Sequence, residues 1–104
     1  MRRGEIWWAD VPPPIGRRPV LLLSRDEAIR MRAQVTVAEL TATIHRIPAE
    51  VSLGPEDGVP RRCVVNLDTL TTIPKAYLIS RICELRADKM NQVHQAVRFA
   101  LDLP

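Results

Sequence analysis

Turn-forming residues divide this chain of 104 residues into short apolar segments, and their spacing restricts the possible folds more than any other feature. Three consecutive prolines occupy positions 12–14, and the segment 54–60 contains two glycines and two prolines. Such clusters predict turns between short strands. The segments that we predict to be strands are 4–11, 18–24, 34–40, 49–53, 63–67 with an extension at 70–73, and 79–85.

Helical patterns are confined to two segments of the chain. Helix-forming residues over 26–32 predict a short helix, capped by Ser24 or Asp26. Apolar residues at helical spacing predict an amphipathic helix over 87–102. The predicted apolar stripe of this helix consists of Met90, Val93, Val97, Ala100 and Leu101. Phe99 points away from the stripe and is predicted to be exposed, where it is either incidental or available to a partner.

Many short strands followed by one helix predict a mainly β fold with α, built on a small, strongly curved antiparallel sheet or barrel of about six to seven strands. The absence of repeats and internal linkers predicts a single domain over 1–104. No apolar run is long enough to span a membrane. Glu5 and Asp10 interrupt the N-terminal apolar run, so we expect no secretory signal and a cytoplasmic location.

The charge of the chain is mildly basic, with a formal net charge of +3. All but two of its 15 Lys and Arg residues are arginine, the exceptions being Lys75 and Lys89. Arginine suits bidentate phosphate contacts and stacking on bases, so this composition is compatible with a nucleic-acid partner. A G+C-rich genome would produce the same bias, and only the placement of the arginines can decide between these readings.

Neither the cysteines nor the histidines have the spacing of a metal site, and we predict no metal and no cofactor. Cys63 and Cys83 lie in apolar runs, which predicts buried, reduced thiols. His94 lies on or beside the apolar stripe of the last helix, where a packed, hydrogen-bonded histidine is expected. His45 lies in a loop, as either a nucleic-acid contact or a solvated residue.

Several short motifs follow one another along the chain. The opening strand pair reads R-G-E-I-W at 3–7 and R-P-V-L-L at 18–22. The later motifs are V-A-E-L-T-A at 37–42, P-A-E-V at 48–51, V-V-N-L-D-T-L-T-T-I at 64–73, I-C-E-L at 82–85 and the helical segment 90–103. In order and spacing they resemble the MazF/PemK family of toxin endoribonucleases along nearly the whole chain.

The resemblance implies a homodimeric SH3-like barrel that cuts single-stranded mRNA at a short sequence without a metal. The products would carry 2′,3′-cyclic phosphate and 5′-hydroxyl ends, and cleavage would inhibit growth. The implied partner is a cognate antitoxin, whose acidic, disordered C-terminal segment would occlude the RNA site.

The family's two central catalytic positions carry over onto Arg18 and Thr41. The transition state concentrates negative charge on the non-bridging phosphate oxygens, where a guanidinium and a hydroxyl donor stabilise it. A guanidinium does not readily release a proton, so we expect proton transfers to pass through water or the RNA itself. The alternatives are a salt bridge from Arg18 to a loop carboxylate and a loop-capping role for the Thr41 hydroxyl.

Further residues are candidates for RNA contacts with weaker support. Trp7 or Trp8 is a possible stacking platform, and the arginine pair 61–62 is either a phosphate contact or an exposed charge pair. The full set of candidate contacts is Arg17, Trp8, Thr43, His45, Arg61, Arg62, Asp68, Thr69 and Thr71.

The chain departs from the family pattern at three places. The first loop of the family carries G-S-E before the arginine, whereas the segment 11–17 contains no carboxylate. Glu39 replaces the usual proline and puts a negative charge near the predicted RNA site. Thr69 and Thr71 replace a glutamine and a basic residue, so the preferred RNA sequence should differ from that of better-known members.

Two other functions remain open from the sequence. A gyrase-poisoning toxin of the same fold would act through its C-terminal helix and would use the exposed Phe99. A catalytically inactive nucleic-acid-binding barrel would keep the basic surface without the reaction.

Overall fold

The computed structural model describes residues 1–104, and its strands form one antiparallel sheet in the order β4-β5-β3-β2-β1-β6. The strands are β1 (Glu5–Val11), β2 (Gly16–Leu22), β3 (Gln34–Thr41), β4 (Glu50–Leu53), β5 (Cys63–Pro74) and β6 (Leu78–Glu84). The predicted curved sheet is confirmed as a six-stranded, curled half-barrel. β2 begins and ends two residues earlier than predicted, and β5 joins the predicted segment 63–67 to its extension.

Two α-helices accompany the sheet, α1 (Asp26–Met31) and α2 (Ala87–Ala100), together with short 3-10 helices at Pro55–Asp57 and Lys75–Tyr77. No helix has the length and apolarity needed to cross a bilayer. The predicted cap of α1 is wrong, because Arg25 occupies the N-cap without a side-chain hydrogen bond. Ser24 instead accepts a hydrogen bond from the Thr36 N–H at 2.8 Å, and Asp26 accepts one from the Arg3 N–H at 2.6 Å. Both candidate capping side chains therefore bind distant segments of the chain and do not cap α1.

The apolar face of α2 differs from prediction at two residues. Leu101 lies beyond the end of the helix and is 52% exposed, whereas Ala96, which the predicted stripe omits, is buried. Phe99 is 58% exposed, as predicted.

Apolar side chains are buried on both faces of the sheet. Along β2, Leu21 belongs to one core cluster, while its neighbours Val20 and Leu22 belong to another, because successive side chains point to opposite faces. The first cluster also contains Val93 and Ala96 of α2. In a strand that is buried on both faces, apolar and polar residues do not alternate, and this explains the apolar run 20–23.

A tight hairpin joins β1 to β2 and presents two arginines at the start of β2. Gly16 has a φ of +77°, in the left-handed region that favours glycine, and opens β2 directly before Arg17 and Arg18. In the β1–β2 register Trp8 pairs with Pro19 and Ala9 with Arg18. The hairpin therefore brings Arg17 and Arg18 beside the outer end of β1.

Glu5 is the one charged side chain in the buried core. Its carboxylate accepts hydrogen bonds from the Trp7 indole at 3.0 Å and the Arg2 N–H at 2.9 Å, and Arg81 lies at 3.2 Å. Burial raises the pKa of this carboxyl, but the two hydrogen bonds and the charges of the N-terminal amine and Arg81 outweigh it, so the pKa is lowered overall. Glu5 thus ties the N-terminus to β1 and β6.

The substitution Glu5→Gln is expected to destabilise the fold by about 1–3 kcal/mol at neutral pH, because it removes a buried charge from its hydrogen bonds. The lowered pKa of Glu5 makes its contribution largest at neutral pH and progressively lost as the pH falls through that pKa in the folded protein. The free energy of unfolding, measured in urea between neutral and acidic pH, should therefore fall less steeply with decreasing pH in the variant than in the wild type. The exposed Glu27→Gln change is the control, and an unchanged slope in Glu5→Gln would refute this role.

Candidate functional site

An open cleft of about 460 Å³, here termed the Trp8 cleft, lies where β1, β2 and β6 meet the end of β3 and the segment 59–63. The residues that line it are Trp8, Arg17, Pro19, Leu40, Thr41, Ala42, Val59, Pro60, Arg61, Cys63 and Ile82. Four of these were predicted from the sequence as site residues: Trp8, Arg17, Thr41 and Arg61.

An aromatic ring and two guanidinium groups give the Trp8 cleft its chemical character. The Arg17 guanidinium carbon lies 5.9 Å from the centroid of the Trp8 ring, within the range of a cation–π contact. Arg61, in the segment 59–63, also lines the cleft. A half-buried indole with arginines around it can stack a planar ring and neutralise an anion at the same time.

Arg18 and Thr41 are brought to neighbouring strand ends. The last paired residues of β2 and β3 are Val20 and Glu39, and continuing that register by two positions sets Arg18 opposite Thr41. Pro19 lies between Arg18 and Val20 and has no N–H to extend the ladder. Thr41 lines the Trp8 cleft, whereas Arg18 does not.

The side chain of Arg18 is exposed and has two partners. Its Nε donates to the Ile15 carbonyl at 3.3 Å and lies 3.7 Å from the Glu39 carboxylate. Arg18 therefore does lie near a carboxylate, as the alternative of a salt bridge required. This carboxylate belongs to the strand β3, whereas the sequence led us to expect one from a loop. Sequence reasoning noted Glu39 only as a departure and missed this contact, which depends on the β2–β3 register.

The remaining candidate RNA contacts lie outside the Trp8 cleft. Thr43 and His45 are exposed in the segment after β3, where the Thr43 N–H donates to the Thr41 hydroxyl at 3.1 Å. Arg62 forms an exposed, bidentate pair with Glu56, with both N–O distances at 2.8 Å. The three exposed candidates on β5 are Asp68, Thr69 and Thr71.

The cysteines and His94 occupy the environments that the sequence predicted, except that Cys83 is only partly buried. Both thiols are free, and burial raises the pKa of each. The Nε2 of the half-buried His94 accepts a hydrogen bond from the Arg3 guanidinium at 3.0 Å, and burial together with the charges of Arg3 and Arg98 lowers the pKa of His94. No group of three or more His, Cys, Asp or Glu side chains is arranged to hold a metal ion.

Known proteins resemble this chain along nearly its whole length. Residues 2–101 match the family described as PemK-like, MazF-like toxin of type II toxin-antitoxin system. The probable endoribonuclease MazF5 of Mycobacterium tuberculosis is 42% identical over 101 residues, which cover 96% of this chain and 92% of the relative. Endoribonuclease EndoA of Bacillus subtilis is 31% identical over 111 residues, which cover 99% of this chain and 96% of the relative.

The fold also matches solved structures. The structure of an endoribonuclease in complex with its cognate antitoxin from a mycobacterial species superposes with a TM-score of 0.90 at 32% identity. The match covers 100% of this chain and 97% of that chain.

Proposed function

Since the chain belongs to the MazF/PemK family of toxins of type II toxin–antitoxin systems, we propose that it is an endoribonuclease that cuts single-stranded mRNA at a short sequence. The proposed reaction needs no metal, leaves 2′,3′-cyclic phosphate and 5′-hydroxyl ends, and inhibits growth. The observation that carries this proposal is the opposed position of Arg18 and Thr41 when the β2–β3 register is continued, with Thr41 in the lining of the Trp8 cleft.

The proposed reaction is a transesterification within the RNA. The 2′-hydroxyl attacks the adjacent phosphorus, and negative charge accumulates on the non-bridging oxygens as the bond to the 5′ oxygen breaks. Arg18 would supply a full positive charge and two parallel donors, and Thr41 a neutral hydroxyl donor. Because both groups lie at the ends of paired strands, their positions are set before the substrate arrives.

The Trp8 cleft, which contains Thr41 but not Arg18, would bind nucleotides next to the scissile phosphate. The Trp8 ring can stack on a base, while Arg17 and Arg61 can contact phosphates on either side. The cognate antitoxin would cover the same surface with an acidic segment, complementary to the net charge of +3. We further propose that the toxin acts as a cytoplasmic homodimer.

The proposal is tested by incubating the purified chain with total bacterial RNA in excess EDTA. We expect cuts at a short recurring sequence, with cyclic-phosphate and 5′-hydroxyl ends identified by end-specific ligation. Cleavage that stops in EDTA would refute the metal-free mechanism, and intact RNA with and without EDTA would refute the nuclease assignment.

The substitution Thr41→Val is expected to lower the cleavage rate by about tenfold to a hundredfold, because it removes one neutral donor and leaves the shape of the side chain similar. Thr41→Ser should retain most of the activity, since it keeps the hydroxyl. Single-turnover cleavage of an oligoribonucleotide containing one mapped site measures both rates. Equal rates for the valine and serine variants would argue against a role for the hydroxyl.

A further inference from the structure

The proposed reaction requires a group that accepts the proton of the attacking 2′-hydroxyl, and we propose that the Glu39 carboxylate is that general base. This inference rests on the proposed function and assigns its missing proton acceptor. It replaces the expectation, drawn from the sequence, that water or the RNA itself takes the proton.

The position of Glu39 relative to the other two groups carries the inference. Glu39 lies on β3 two residues before Thr41, so the two side chains share one face of an extended strand. Its carboxylate is 3.7 Å from the Arg18 Nε on the adjacent strand. A phosphate held by Arg18 and Thr41 would therefore have the carboxylate of Glu39 within a few ångströms of its ribose.

The carboxylate is also free to accept a proton. A separation of 3.7 Å exceeds hydrogen-bond length, so the contact with Arg18 leaves the carboxylate oxygens open to the 2′-hydroxyl. The side chain of Glu39 is only half-buried, so a bound substrate can reach its carboxylate. Neither a guanidinium nor a threonine hydroxyl accepts a proton readily at neutral pH, so Glu39 completes the set of groups that the reaction requires.

Other carboxylates near the Trp8 cleft fit this role less well. The segment 11–17 contains none. Asp10 is paired in register with Arg17, one position from Arg18, and alternation along β1 directs it to the face of Trp8. Glu5 and Glu84 are both bound to arginines at the other end of β1.

Charged groups of both neighbouring strands act on Glu39. On β2, the Nε of Arg18 lies 3.7 Å from the carboxylate. On β5, the register shift between Ala38 and Leu40 leaves residues 66–69 opposite Glu39, and Asp68 is the charged member of this segment. Glu39 therefore has one cation and one further carboxylate on the strands beside it.

The proton balance of the step is complete. The O2′–P bond forms as the 2′-hydroxyl proton moves to Glu39, and the P–O5′ bond breaks as a water molecule protonates the leaving 5′ oxygen. The hydroxide that remains then takes the proton from the Glu39 carboxyl, which restores the carboxylate. No electrons are exchanged, and the products are the cyclic phosphate and the 5′-hydroxyl.

The test compares the wild type with Glu39→Gln, Glu39→Asp and the control Glu56→Gln in single-turnover cleavage of an oligoribonucleotide with one mapped site, across a range of pH. Glu56 suits the control because it is an exposed carboxylate that also pairs with an arginine, away from the Trp8 cleft. For Glu39→Gln we expect a loss of about 10²–10⁴-fold, together with loss of the acid limb of the pH–rate profile. Glu39→Asp should retain part of the rate and the acid limb, and Glu56→Gln should match the wild type.

Two results would overturn the assignment at different levels. If the wild type cleaves and Glu39→Gln keeps its acid limb, Glu39 is not the base and the proposed nuclease function stands. If the wild type does not cleave RNA at any pH, the nuclease function fails and this assignment fails with it. Circular dichroism melting of each variant ensures that only folded protein is compared.

Discussion

Replacing Arg18 by alanine is expected to lower the rate of RNA cleavage by about 10²–10³-fold, the usual loss when one preorganised donor to a developing anion is removed. The guanidinium is exposed at the start of β2. Its Nε donates to the Ile15 carbonyl and lies near the Glu39 carboxylate, so the group is positioned but not locked in a buried ion pair. Pro19 restricts the backbone on its C-terminal side. The loss should appear mainly in the cleavage step, because Arg17 and Arg61, the RNA contacts proposed in the Trp8 cleft, are unchanged.

Single-turnover cleavage and RNA affinity, measured on the same oligoribonucleotide, separate these two effects. Arg18→Lys should fall between the wild type and alanine, since it keeps the charge and loses the planar fork. Arg30→Ala, which removes an exposed arginine from α1, controls for the change in net charge. If Arg18→Ala and Arg30→Ala were equally active, the electrostatic role of Arg18 would be wrong.

Replacing Leu21 by alanine is expected to destabilise the protein by about 2–5 kcal/mol, the range for removing a buried leucine side chain. Leu21 is fully buried near the end of β2, paired with Ile6 of β1 and Ala38 of β3. The substitution removes apolar contacts and leaves a cavity between three strands. In a domain of this size, such a loss is a large part of the total stability.

Urea unfolding followed by tryptophan fluorescence measures the change, since Trp7 and Trp8 both lie on β1 beside this strand. The control is Met31→Ala, whose side chain is 80% exposed at the end of α1 and should change the stability by less than about 0.5 kcal/mol. A Leu21→Ala change no larger than that of the control would mean that the two-sided packing of β2 is misassigned.

The secondary structure was largely predictable because it depends on local signals. The strand β1 and the body of β3 follow from apolar and β-branched segments between turns, and α2 follows from its apolar spacing. Errors arose where distant residues intervened. Ser24 and Asp26 have the chemistry of a helix cap, but they accept hydrogen bonds from the backbone N–H groups of Thr36 and Arg3 instead.

The candidate site was predictable only in part. Arg18 and Thr41 were identified from the resemblance to the family, and their roles remain a prediction. The Arg17–Trp8 contact and the pairing of Arg62 with Glu56 could not be read from the sequence, since each depends on how separate segments approach one another.

The sequence by itself determined where strands, turns and the last helix lie, because these depend on side-chain patterns within a few residues. It also predicted which side chains could act on a phosphate. Only the tertiary structure decided which of them meet, because the β2–β3 register depends on packing on both faces of the sheet. A shift of one residue in that register would reverse which side chains share a face, and it is this register that brings Glu39 beside Arg18.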